Sequence, residues 1–137
     1  MQTLEQRRAA FALARIDEVK DAQDKAKYKT QLLKLPARLH GNGLGQTVAF
    51  YLSVGPAKPG KPAKPERVIC DWLQAWLTSE QEIYPPQDLV KSLAGTGLAK
   101  GVDAEAKYRE ASTEARAIAV WLKRFAEAFI AGQGDAG

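Results

Sequence analysis

Tyr108 to Phe129 reads YREASTEARAIAVWLKRFAEAF, and the spacing of its apolar residues decides the fold class. At 100° per residue, Tyr108, Ala111, Ala115, Ile118, Leu122, Phe125 and Phe129 fall on one line, the mark of an amphipathic helix with one buried face. At about 1.5 Å per residue the stripe is roughly 30 Å long. A second line, a little over a quarter-turn away, carries Arg109, Arg116 and Lys123, with Ser112 between the first two. Glu110 and Glu114 fall on the other flank, beside Ala117 and Trp121. Lys123 and Arg124 therefore do not interrupt the core. Lys123 extends a basic row along the edge of the buried face, and Arg124 points further round, toward solvent. Glu105 and Glu127 stand four residues from Arg109 and Lys123, a spacing that gives weak ion pairs, so the row by itself also suits an ordinary solvated face.

Outward from this helix, the chain reads as helix after helix. Thr3 with Gln6 forms a capping box, and Ala9, Ala12, Leu13, Ile16 and Val19 make the inner stripe of a first helix ending near Ala22. A second runs from about Lys25 to His40 with Tyr28, Leu32, Leu35 and Leu39 inward; Pro36 inside it predicts a kink or break near Leu35. Gly41-Asn42-Gly43 stops it, because glycine and asparagine accept the left-handed turn that ends helices. The third, Leu44 to Val54, is apolar nearly all round and is expected to be central. A fourth, Glu66 to Thr78, places Ile69, Trp72, Leu73, Trp76 and Leu77 at core spacing. Pro85-Pro86 opens a short fifth with Leu89, Val90 and Leu93, closed by Gly95-Thr96-Gly97. The long sixth runs from Asp103 to Gly132. No alternating strand pattern of useful length occurs. The expected fold is an all-α, single-domain bundle of five to six helices over residues 1–137.

Residues 55–65, GPAKPGKPAKP, are the exception. Prolines recur at 56, 59, 62 and 65 and lysines at 58, 61 and 64, matching the three-residue turn of polyproline II. The segment reads as a flexible, solvated linker between helical halves of about 1–54 and 66–132; a phosphate-gripping arm is the alternative.

Composition narrows the function classes. A chain of 137 residues is long enough to bury a core without staples. Its 45% hydrophobic and 26% charged residues are those of an ordinary globular protein, and a net charge of +4 hints at a polyanionic partner without establishing one. Cys70 is the only cysteine, which excludes an internal disulfide and suits a reducing cytoplasm. No apolar run approaches a membrane span, and MQTLEQRR lacks a signal-peptide core. The single histidine, His40, and single cysteine supply no metal cluster, cofactor site or oriented nucleophile pair. GNGLG follows no strand and does not match the nucleotide-binding fingerprints. Catalysis is not expected.

Opposite the apolar stripe of the second helix lie Lys27, Lys34 and Arg38, again on one line. Two helices thus carry spaced cations away from their core residues. Such rows suit repeated phosphates, since each phosphate neutralised releases counterions and adds affinity without reading sequence.

Two stretches carry a resemblance. LKLPARLHGNGLGQTVAFYL, residues 33–52, and YREASTEARAIAVWLKRFAEAF resemble the small helical subunit of the type III-B CRISPR effector, the Cmr RNA-targeting complex. The first has that family's Leu-Pro helix followed by Gly-Leu, a glutamine and an Ala-Phe pair. The second has its Tyr-Arg, Thr, Glu-Ala and Trp-Leu-Lys-Arg-Phe-Ala signature. Together they cover about a third of the chain, in the family's order. The linker and the Ser79-to-Glu82 turn lie outside the resemblance, and Thr47-Val48 stands where a small-aliphatic pair is more typical.

The resemblance implies an all-helical subunit without a nuclease site or cofactor, stacked in several copies along the backbone filament and holding target RNA against the guide. Its partners would be guide RNA, target RNA, other effector subunits and copies of itself. Lys34, Arg38, Arg109, Lys123 and Arg124 within the motifs are then the expected strand contacts, joined by Lys27 and Arg116 from the two rows. Asn42 and Gln46 would add hydrogen bonds to backbone or sugar. A helical protein–protein adaptor is the alternative, its cations forming rim salt bridges. A helical DNA-binding regulator ranks last, for want of a recognition helix after a tight turn.

Overall fold

The computed structural model describes residues 1–132, and among these all regular structure is helical. Helix α1 spans Leu4–Val19, α2 Lys25–Leu52, α3 Pro65–Ala75, α4 Leu89–Leu93 and α5 Ala104–Phe129, with a π-helical turn at Trp76–Glu80 following α3. The proposed end of the long helix at Gly132 moves back to Phe129, because the backbone turns extended at Ile130.

Helix α1 starts as its sequence requires. The Thr3 hydroxyl accepts from the Gln6 amide at 3.1 Å, while the Gln6 side chain accepts from the Thr3 amide at 2.9 Å, satisfying two otherwise orphaned donors. The helix is rotated from the expected stripe: Phe11 is buried and Leu13 lies on the surface. Phe11 packs against Trp76 with ring centroids 5.1 Å apart and carries the Arg15 guanidinium on its face.

Helix α2 holds the second and third expected helices in two arms. Gly43, at φ 83° and ψ 166°, is its one non-helical residue, and only glycine takes that conformation without strain. Of the kink or break expected near Leu35, the break does not occur: the backbone stays helical through Pro36, and the non-helical residue is the glycine. The inward residues Tyr28, Leu32, Leu35 and Leu39 are all buried.

Helix α2, which contains the third expected helix, and helix α5 form the centre of the fold, α2 packing also on α3 and α4. Helix α5 packs on both α1 and α2, so it buries a band wider than one line: Ala111, Ser112, Glu114, Ala115, Ile118, Ala119, Leu122 and Ala126. Phe129, at the end of the expected stripe, is 52% exposed. The C-terminal arm of α2 buries Leu44, Val48 and Tyr51 but leaves Ala49 and Phe50 outside. Two contacts fix the α2–α5 pairing. Lys29 Nζ donates to the Ile130 carbonyl at 2.7 Å near one end, and the Gly45 amide donates to the Tyr108 hydroxyl at 2.9 Å near the other. The helices are therefore antiparallel, and Lys34 lies nearer the level of Lys123 than of Arg109.

Helix α3 has Pro65 in its first turn, where a missing N–H costs nothing. It buries Ile69, Trp72 and Leu73 as expected, and the π-turn buries Trp76 and Leu77. The helical ladder widens at Trp76, which accepts from the Gln81 amide at 2.9 Å. Pro85 and Pro86 precede α4 without opening it; Asp88 is its cap, accepting from the Lys91 amide at 3.2 Å. Leu89 and Ser92 face inward, and Val90 is 49% exposed. Residues 55–64 are irregular, and Gly60 lies at φ 75° in a turn closed from the Lys61 amide to the Lys58 carbonyl. That reversal interrupts the continuous polyproline ridge expected there.

Candidate nucleic-acid interface at the bend of helix 2

The Gly43 bend opens a depression of about 530 Å³ between the arms of α2, lined by Arg38, Gly41, Asn42, Gln46, Thr47 and Phe50. Three of the nine sequence-predicted contact residues thus converge on one surface. Asn42 and Gln46 are exposed, and Arg38 is half-buried.

Arg38 bridges the bend. Its Nη1 donates to the Gln31 side chain on its own arm and to the Tyr51 hydroxyl on the other, the latter at 3.1 Å. The guanidinium also lies over two rings of the C-terminal arm, 4.6 Å from the Phe50 centroid and 5.4 Å from Tyr51. All these partners are neutral, so the arginine is fixed in place with its charge uncompensated by a carboxylate. Burial raises the pKa of the Tyr51 phenol, and Arg38 opposes the rise by hydrogen bonding and charge; the phenol stays protonated at neutral pH.

Beside it, Thr47 is 1% exposed and its hydroxyl has no hydrogen-bond partner among the described residues. Phe50 is 50% exposed. The depression therefore combines a fixed cation, two side-chain amides, an unpartnered hydroxyl and a half-open aromatic ring.

The other predicted residues are distributed along the surface. Lys27, Lys34, Arg109, Arg116 and Arg124 are exposed and Lys123 is half-buried. Arg109 is held by Glu105 at 2.7 Å, as its spacing predicts. Glu127 does not come within ion-pair distance of Lys123, and no carboxylate among the described residues pairs with Lys27, Lys34, Arg116 or Arg124. Arg124 lines a second depression with Glu5, Ala117, Val120 and Trp121.

A model of the family described as CRISPR-associated protein (Cas_Cmr5) matches residues 4–129. The chain belongs to this family. Membership makes it a small subunit of the type III-B CRISPR Cmr complex, in agreement with the resemblance of the two motifs. The match runs from the first residue of α1 to the last of α5, so it takes in the linker and the turn after α3 that the motifs left out.

Two features of this Cas_Cmr5 member are invisible in its charge rows. Glu114, expected on an outer flank, is 8% exposed. It accepts from Arg8 Nε at 3.1 Å, from Arg8 Nη2 and from the Trp76 indole at 3.2 Å. That bidentate pair ties α1, α5 and the π-turn together, and the carboxylate holds the Arg8 guanidinium above its usual pKa. Lys29 is 1% exposed, with its ammonium on the carbonyl end of α5, where the helix dipole favours a cation. Its one sequence signal is its place beside Tyr28 and three residues before Leu32 on the inward face.

Among the described residues no group of three or more His, Cys, Asp or Glu could hold a metal, and no helix is long and apolar enough to cross a membrane. Burial pushes the Cys70 thiol up to about 11.

Proposed function

We propose that this Cmr subunit is non-catalytic and contacts the target strand, or its duplex with the guide, through the cations of α2 and α5, in several cytoplasmic copies stacked along the backbone filament in antiviral defence. The observation that carries the proposal is the convergence of Arg38, Asn42 and Gln46 on one open depression, all from a single motif. The exposed cations Lys27, Lys34, Arg116 and Arg124 support it, since side chains without carboxylate partners retain their charge for phosphates. Guide RNA, target RNA, neighbouring subunits and further copies of the chain are its partners on this account.

The test is the salt dependence of target RNA binding by the assembled complex. Lys34→Ala with Lys123→Ala should flatten the log–log slope by about 1.4 per subunit copy that binds, at about 0.7 per phosphate contact on single-stranded RNA. An unchanged slope contradicts the proposal. A loss confined to assembly with protein partners would mark the chain as an adaptor.

A further inference from the structure

We infer that the depression at the Gly43 bend is a nucleobase site, in which an unstacked base of single-stranded RNA lies against Phe50 while its edge meets Thr47, Asn42 and Gln46. The inference deepens the proposed function, on which it rests, by adding a base contact to the phosphate contacts of the cationic rows.

Three observations point to a planar, hydrogen-bonding occupant. Phe50 is 50% exposed although the helix it belongs to has a core to pack against. Its ring is fixed by the Arg38 guanidinium at 4.6 Å and by Tyr51 at a centroid distance of 5.7 Å. A ring held this way is a ready stacking surface, because little freedom is lost when a base settles on it. The second observation is Thr47, which lines the depression and whose hydroxyl, buried behind that wall, has no partner among the described residues. A buried hydroxyl without a partner is costly, and a ligand in the depression toward which the Thr47 side chain turned would remove that cost. The third is the pair of exposed amides on the same wall. An amide offers both a donor and an acceptor, the combination that a base edge presents and a phosphate does not. Arg38 uses only Nη1 for its hydrogen bonds among the described residues, leaving Nη2 and Nε for the phosphate attached to the bound nucleotide.

Phosphate contact alone would need neither the ring nor the amides. A protein side chain would satisfy the ring but would leave the unneutralised guanidinium without a counter-charge unless it were acidic.

The full-length chain, titrated with a short single-stranded RNA and with the same oligonucleotide carrying abasic riboses, separates these cases. Phe50→Ala should weaken binding of the intact RNA by about fivefold to 150-fold, the effect of losing one base–aromatic stack. It should leave the salt slope unchanged and have little effect on the abasic RNA. Phe50→Trp should keep or tighten binding, and Thr47→Val should weaken it several-fold with the fold intact. Equal loss on intact and abasic RNA, or no loss on either, overturns the base site while leaving the phosphate contacts standing. A Phe50→Ala chain that binds RNA as the parent does but fails to assemble with Cmr subunits also overturns it, and assigns the depression to a protein contact. If the parent binds no RNA at low salt, the base site is overturned, and the salt slope of the assembled complex still decides the proposed function.

Discussion

Arg8 and Arg38 are both partly enclosed and both hydrogen-bonded, yet their surroundings differ in one respect. Arg8 faces a buried carboxylate, Glu114, which also takes the Trp76 indole. Arg38 faces an amide, a phenol and two rings. At the α1–α5 seam the charges cancel and the side chains serve the fold. At the bend of α2 the geometry is as firmly set, but the charge is left over and opens onto a depression. On the proposed function, the difference separates a cation that holds the protein together from one that contacts a partner.

The largest expected effect breaks the first half of this comparison. Glu114→Ala leaves a guanidinium and an indole N–H without their acceptor in a seam where the pair is only 16% and 10% exposed. Breaking a buried pair costs about 3–5 kcal/mol, and the residual exposure places this one near the lower end. Urea unfolding should show that loss with RNA binding unchanged where the protein remains folded. Leu122→Ala, at 0% exposure, should cost about 2–5 kcal/mol by leaving a cavity, again without changing the salt slope.

A smaller effect is expected at the glycine that makes the bend. Gly43→Ala forces a side chain to φ 83° and brings its Cβ within 3.6 Å of the Tyr108 hydroxyl. Backbone at positive φ with ψ 166° is essentially confined to glycine and costs another residue roughly 1–3 kcal/mol, so thermal unfolding should fall by several degrees. The depression depends on this bend, so RNA affinity should fall with it, whereas Glu114→Ala should separate the two properties. Smaller still is the change for Lys34→Ala with Lys123→Ala. The exposed Lys34 and half-buried Lys123 should together change stability by no more than about 0.5 kcal/mol per site. Cys70 sharpens the comparison from the side of the core: with its thiol pushed up to about 11, alkylation of the native protein near pH 8 should be far slower than that of the unfolded chain. Because the folded pKa is raised, the thiol's contribution to stability is present below the unfolded value and is lost as pH rises toward about 11.

The helical class was legible because helical periodicity is a local signal. The Thr3 cap, the inward face of α2 and the stop at Gly43 all follow from residues within a few positions of one another. What was not legible depends on packing between distant segments. Glu114 reads as surface on its own helix and becomes buried because α1 brings Arg8 across it. Phe11 displaces Leu13 from the core because Trp76 lies opposite. Pro36 reads as a kink or a break, yet the backbone stays helical there among buried leucines, and the non-helical residue is the one that takes that conformation without strain.

The candidate site divides the same way. Arg38, Asn42 and Gln46 were named from the sequence as candidate contacts within one motif, but that they line one depression is seen only in the fold. Thr47 and Phe50 were not named, since a hydroxyl without a partner among the described residues and a half-exposed ring are properties of the folded bend and leave no mark in periodicity.

The most direct test of the central claim compares Arg38→Gln with Glu114→Gln in the assembled complex, measuring target RNA affinity against salt alongside the unfolding free energy of each free subunit. The account predicts that Arg38→Gln lowers the salt slope by about 0.7 for each copy bound to single-stranded RNA and costs roughly 1–3 kcal/mol for its two hydrogen bonds, while Glu114→Gln lowers stability and leaves the slope alone. An Arg38→Gln complex with the parent's salt slope would contradict it.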